Sequence, residues 1–238
     1  MKEPMNETLG EEKFQPQPSL SKGAQFHRFL RDAIIRGDLK PGQAISEIEM
    51  SKQYGLSRQP VREAFIKLSD ERLIEVLPQR GSYVRKISVK EVLEARYLRE
   101  IIEVSLIREV ARTPSRALIA QLRKIIGAQR KVKHGDSRSF LALDDEFHKA
   151  FAMHTGREYT WRVTEAIKAQ LNRARFLSFD YATMTADIVD EHAMIVDAIE
   201  AGDSDLAAAE MENHLRSIFK SLPLMVKQFP DHFIDSEE

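Results

Sequence analysis

The sequence contains no cysteine. That excludes disulfide staples and thiolate metal sites, so any bound metal must be held by oxygen and nitrogen, and it is compatible with a reducing compartment. Long apolar runs are also missing: nothing approaches the roughly 18 consecutive apolar residues of a membrane span. The opening MKEPMNETLGEEKFQPQP lacks the apolar centre of a secretion signal, so a cytoplasmic chain with no membrane partner is expected. No internal repeat or low-complexity tract is present. Net charge is almost absent, at −1, while 42% hydrophobic and 31% charged residues are ordinary globular values, which excludes fibrous and wholly disordered classes. A length of 238 residues suits two domains of ordinary size.

The near-zero charge conceals a division. Residues 19–87 hold 13 basic and 8 acidic side chains, whereas residues 88–238 hold 21 basic and 25 acidic ones. A positive module on a negative remainder is the footprint of a chain that meets a polyanion with one part only. Residues 1–18, with 2 basic and 4 acidic side chains and three prolines, read as a flexible N-terminal arm.

Within residues 19–87 the periodicity predicts a helix carrying Phe26, Phe29, Leu30, Ala33 and Ile34 and stopping by Gly37. After the turn LKPGQAIS, Ser46 and Glu49 form a capping box for a short second helix that ends at Gly55. A third helix follows in LSRQPVREAFIKLSDERLI, with Ser57 as N-cap, Pro60 in the first turn and Val61, Ala64, Phe65 and Leu68 facing inward. Two β-favouring runs, 74–77 and 83–87, then flank a loop with Pro78 and Gly81. The whole is a winged helix-turn-helix, which sets the start of its second helix in the major groove of double-stranded DNA. There Arg58 and Arg62 share one face opposite the apolar stripe and suit bidentate contacts to guanine; Gln59 is a further base reader and Ser57 a phosphate contact. At the wing tip Gln79, Arg80 and Gly81 suit the backbone or minor groove.

Beyond Ser88 only helical period is visible, with helices expected near 88–112, 115–133, 137–155, 158–178, 186–201 and 204–227, a longer loop at SFDYATM, and a tail over 230–238. This predicts a mainly α chain whose C-terminal part, 88–229, is an all-α helical bundle. Its stripes carry misplaced polar groups. In FLALDDEFHKAF, Asp144 and His148 fall on the face marked by Phe140, Phe147 and Phe151. His192 lies among Ile188, Ile195, Val196 and Ile199, and His214 among Ala207, Met211, Leu215 and Ile218. Burying a carboxylate and three imidazoles unpaired is costly, and a shared divalent cation is the economical partner. Asp and His at i, i+4 chelate from one helical face, and two further His complete the set. Arg99, with Ala95, Ile102 and Leu106 on its face, also points inward beside Glu103, while Asn172 and Arg175 in LNRARFLSF are further pocket candidates. His27, His134, His154 and His232 have no such constellation.

Residues 39–84, above all SRQPVREAF, resemble the winged-helix domain of GntR-type bacterial transcription regulators, and the remainder resembles the FCD domain of the FadR-type subfamily, over about residues 20–225. The resemblance implies a homodimer that binds a palindromic operator, with Arg58, Arg62 and the wing tip as DNA contacts, and responds to a small organic acid effector. It implies a metal held by Asp144, His148, His192 and His214, a divalent transition metal, zinc before nickel, manganese or iron, with Arg99 binding the effector carboxylate. Two positions depart from relatives: Ile48 stands where some carry a DNA-contacting arginine, and Arg157 where Asn is common. Two alternatives stand beside the acid-controlled regulator. In one the metal ion itself is the signal; in the other the bundle is a metallohydrolase with Asp145 or Glu146 as base, which would leave the winged helix without a task.

Overall fold

The computed structural model describes residue 14, residues 21–178 and residues 182–234. The arm expected over 1–18 lies outside these residues except for Phe14, whose ring packs edge-on against Phe26 at 5.3 Å. The described residues of Met1–Val89 and Phe229–Glu238 form one compact unit and Lys90–Gln228 a second. The fold is mainly α, a winged helix-turn-helix followed by an all-helical bundle.

In the first unit, α1 (Lys22–Arg36) starts where Ser21 Oγ accepts from the Ala24 N–H at 3.2 Å and stops at Gly37, whose φ of 79° only glycine adopts without strain. Its Phe26, Leu30 and Ala33 are fully buried, against the inner face of α3. The short α2 (Glu47–Tyr54) is capped by Ser46 and ended by Gly55, and α3 (Arg58–Asp70) buries Val61, Ala64, Phe65 and Leu68. The wing has three strands, not two: β1 (Ala44–Ile45) and β2 (Ile74–Leu77) flank β3 (Gly81–Val84), all antiparallel, with Ala44 opposite Tyr83 and Leu77 opposite Gly81. The run expected as one strand over 83–87 is broken after Val84. Its end, β4 (Ile87–Ser88), pairs in parallel with β5 (Phe233–Ile234). Residues 230–234, expected as tail, thus form a turn of 3-10 helix and a strand.

The second unit comprises α4 (Val89–Arg112), α5 (Arg116–Gln129), α6 (Ser137–His154), α7 (Glu158–Ile167), α8 (Ala169–Ser178), α9 (Ala182–Glu200), α10 (Ser204–Arg216) and α11 (Ile218–Gln228). Two expected helices are each divided. The helix over 158–178 breaks at Lys168, which is buried and drawn to Asp145 on α6; that over 204–227 breaks at Ser217. The expected loop at 178–184 is shorter at its far end, since α9 already begins at Ala182; residues 179–181 lie outside the described ones. Phe147, Phe151, Ile107, Leu122, Val196 and Met211, all essentially inaccessible, form the core around which α4, α5, α6, α9 and α10 gather.

Candidate functional site

Helical period brings four polar side chains into that core. Asp144 and His148 stand one turn apart on α6, His192 comes from α9 and His214 from α10. One ligating atom of each lies within 4.8 Å of the others. His148 Nε2 and His214 Nε2 are 3.2 Å apart, the spacing of two nitrogens that each lie about 2.0–2.1 Å from one ion. Asp144 Oδ1 is 3.7 Å from His192 Nε2, and Asp144 Oδ2 is 3.8 Å from His148 Nε2, too long for hydrogen bonds. Asp144 Oδ1 and His192 Nε2 have no hydrogen-bond partner although both residues are fully buried. Orphaned acceptors in a dry interior are costly, and a cation among them removes that cost. The donor set therefore fits a divalent ion.

The outer nitrogen of every ring faces an oxygen. His148 Nδ1 lies 2.6 Å from Glu103 Oε2 on α4, His192 Nδ1 3.0 Å from Gln129 Oε1 on α5, and His214 Nδ1 2.8 Å from Glu191 Oε2 on α9. For His192 and His214 the acceptor suits a proton on Nδ1 and turns the Nε2 lone pair to the shared centre, the arrangement that metal-ligating histidines need; His148 Nδ1 faces Glu103 without hydrogen-bond geometry. Electrostatics agree. Burial, reinforced by the neighbouring imidazoles, lowers His214 to about 3 and His192 well below its ordinary value, so both rings are neutral. Burial would raise the Asp144 carboxyl, but the Arg175 guanidinium outweighs it and holds the group ionised. Burial also pushes the Glu191 carboxyl up to about 7.

The remaining bundle candidates fall around this centre. Arg99 is buried, its Nε donating to Glu103 Oε1 at 2.6 Å, so Glu103 joins Arg99 to His148 through its two oxygens. Arg175 Nη1 donates to Asp144 Oδ2 at 2.7 Å, leaving Oδ1 to the centre. Asn172 is buried with its Oδ1 unpartnered. Arg157, at the departing position, is exposed, caps the start of α7 and reaches Glu109 at 2.8 Å. Asp145, one of two conceivable bases for hydrolysis, is held by Lys168 Nζ at 2.5 Å. Among the other histidines His27 pairs with Glu71 at 2.6 Å and His232 stacks on Phe229, while His134 and His154 are exposed. Sequence reasoning missed Gln129, Glu191 and Lys168. Gln129 and Lys168 carried a signal, a polar group on an apolar stripe, but their partners are distant in sequence; Glu191, half-buried, carried none.

In the first unit a cleft of about 440 Å³ is lined by Ile45–Ile48, Arg58, Gln59, Arg62, Gly81 and Ser82. It joins the start of α3 to the wing and so collects four of the seven residues expected to meet DNA. Ser57 caps α3 by position, but its hydroxyl makes no capping hydrogen bond. Gln59 Nε2 donates to Glu63 Oε1 at 3.0 Å, which orients its amide. Gln79 and Arg80 are exposed at the tip, where Gln79 takes a φ of 62° and the Arg80 carbonyl accepts from the Tyr83 hydroxyl at 2.9 Å. Ile48 is 48% exposed in the same cleft.

Comparison with known proteins agrees with this architecture. Residues 24–84 match the family described as bacterial regulatory proteins, gntR family, and residues 91–217 match the FCD domain. The chain is 34% identical over 225 residues to the HTH-type transcriptional repressor RspR of Escherichia coli K12, covering 94% of this chain and 98% of that protein. Among solved structures it resembles E. coli McbR/YncC, with a TM-score of 0.72 at 16% identity, covering 88% of this chain and 99% of that one. A GntR regulator from Rhodococcus sp. RHA1 gives 0.72 at 23% identity, covering 86% and 99%. At such identities these two likenesses establish the fold alone. The 34% identity to that repressor and the family matches over both units place the chain in the gntR family of bacterial regulatory proteins, as a transcription regulator with an FCD domain and not an enzyme.

Proposed function

We propose that the protein is a homodimeric, cytoplasmic transcriptional repressor of the FadR type that binds a palindromic operator and is controlled by a small organic acid at a metal in its FCD domain. The observation that carries this reading is the convergence of Asp144, His148, His192 and His214 with every outer ring nitrogen facing an oxygen acceptor. These four residues hold the ion, zinc before nickel, manganese or iron, given two or more nitrogen donors and no thiolate. The ion supplies open coordination positions for an effector carboxylate. Arg99, placed by Glu103, gives that carboxylate a guanidinium to pair with, Asn172 offers an amide, and Arg175 keeps Asp144 ionised. A curated relative named as a repressor supports repression as the output. On the DNA side Arg58, Arg62 and Gln59 read bases, Ser57 binds phosphate, and Gln79, Arg80 and Gly81 follow the backbone or minor groove beside them.

The test is operator affinity on duplexes selected from a random pool, with the protein zinc-loaded or stripped by a chelator, and with or without small hydroxy and dicarboxylic acids. Acid control predicts that an acid changes affinity only in the loaded protein. If chelation alone switches DNA binding at cellular metal levels, the ion is the signal. Arg62→Ala should weaken selected-site binding by about 1–3 kcal/mol and relax preference at one base pair; unchanged preference would remove Arg62 from the reading surface.

A further inference from the structure

The start of α2 holds one apolar side chain more than its packing uses. Ser46 is the N-cap, its Oγ accepting from the Glu49 N–H at 3.4 Å. Ile45, before the cap, and Met50, at the fourth helical position, occupy the two places of a hydrophobic staple, and each is only 4% exposed. Ile48 lies two residues from Met50, which turns it to nearly the opposite face of the helix, and it is 48% exposed. Among the described residues of the first unit, two other large apolar side chains are as open, Ile66 and Val76. Both lie outside the cleft that Ile48 lines together with Arg58, Gln59, Arg62 and Gly81.

The chemistry of that cleft decides what the side chain meets. Its lining carries two guanidinium groups and one carboxylate, that of Glu47, and no described residue forms an ion pair with either arginine. Glu63, one turn along α3 from Gln59, accepts from the Gln59 amide. A cleft of net positive charge suits a nucleic acid, but an isoleucine gains nothing from phosphate or from the polar edges of bases. Glu47 beside it disfavours phosphate at this edge of the cleft and leaves the place to base edges. On the floor of the major groove the apolar group is the C5-methyl of thymine. We propose that Ile48 is a specificity-determining residue, packing on the 5-methyl group of one thymine in each operator half-site while Arg58 and Arg62 read neighbouring base pairs. The proposal rests on the DNA-reading surface set out under the proposed function and adds to it a base preference that no hydrogen bond carries.

The experiment uses the full chain and the duplex it selects from a random pool. Each thymine of that duplex is replaced in turn by deoxyuridine, which removes the 5-methyl and leaves every hydrogen-bonding edge as it was. At one position in each half-site the replacement should weaken wild-type binding about fourfold, the worth of burying one methyl group. Ile48→Ala, an exposed change whose folding is checked by its melting temperature, should bind the thymine duplex more weakly and the thymine and deoxyuridine duplexes alike. Ile48→Val, which keeps a branched apolar side chain, should retain most of the dependence on the methyl. The non-additivity of the two deletions, one on the protein and one on the base, isolates the contact from any change in the stiffness of the duplex. If no thymine is sensitive to loss of its methyl, or the sensitive one stays so in Ile48→Ala, the proposal is overturned while the DNA-reading surface stands. A chain that selects no duplex overturns both.

Discussion

Glu103 serves two buried partners at once. One oxygen accepts from Arg99 and the other faces His148, and burial, which opposes ionisation, is outweighed first by the Arg99 guanidinium, so that its carboxyl sits far below the usual range. Glu103→Ala should therefore fail twice. Loss of the acceptor on a ligating histidine costs about 10–100-fold in metal affinity. Stranding the 4%-exposed Arg99 charge costs about 3–5 kcal/mol of stability. Competition against a chromophoric chelator and denaturant unfolding measure the two separately, and a variant with full zinc affinity would detach Glu103 from the centre. The four inward polar residues were legible because each interrupts an apolar face of period 3.6. Their outer partners were not: Gln129 meets His192 across 63 residues and Glu191 meets His214 across 23, separations that no local period encodes.

At the scale of elements, α1 and α3 are joined on their outer side by Glu71, which follows α3 and receives both His27, at 2.6 Å, and Arg31, at 2.8 Å, from α1. Burial raises the Glu71 carboxyl, yet the hydrogen bonds and charges from His27 and Arg31 prevail and its pKa in the folded state is lowered from 4.5. A carboxyl depressed by folding contributes stability above its unfolded pKa, and that contribution disappears as pH falls through the folded value. The difference in melting temperature between wild type and Glu71→Gln should then be full at neutral pH and shrink progressively below pH 4.5. A difference independent of pH would show that the contact acts without charge. The elements themselves were mostly readable, because caps such as Ser21, Ser46 and Ser115 and stops such as Gly37 and Gly55 are local chemistry. Where elements were misread the cause was tertiary. Lys168 breaks a helix because Asp145 of α6 and the face of Trp161, 4.3 Å away, draw its ammonium inward. The two-residue β1 exists only because β3 offers Ala44 and Ile45 a ladder.

Taken whole, the chain divides near residue 89, but the division is not a single cut, since the described residues from Phe229 to Ile234 return to the first unit. The pairing of Ile87 with Phe233, both buried, makes the last described strand part of the DNA-binding half. Removing the chain from Phe229 should lower the unfolding midpoint of the winged-helix unit while zinc affinity of the bundle stays as it was; calorimetric unfolding with a zinc titration checks both, and an unaltered midpoint would make the pairing inconsequential. Nothing in residues 230–234 announced this, because a two-residue parallel strand has no period to read. The same pairing sets a clock on biosynthesis. A ribosome adding about 5–20 residues per second needs roughly 7–30 s to travel from one partner of that ladder to the other, so a nascent winged helix waits, one edge bare, until the whole bundle has been translated.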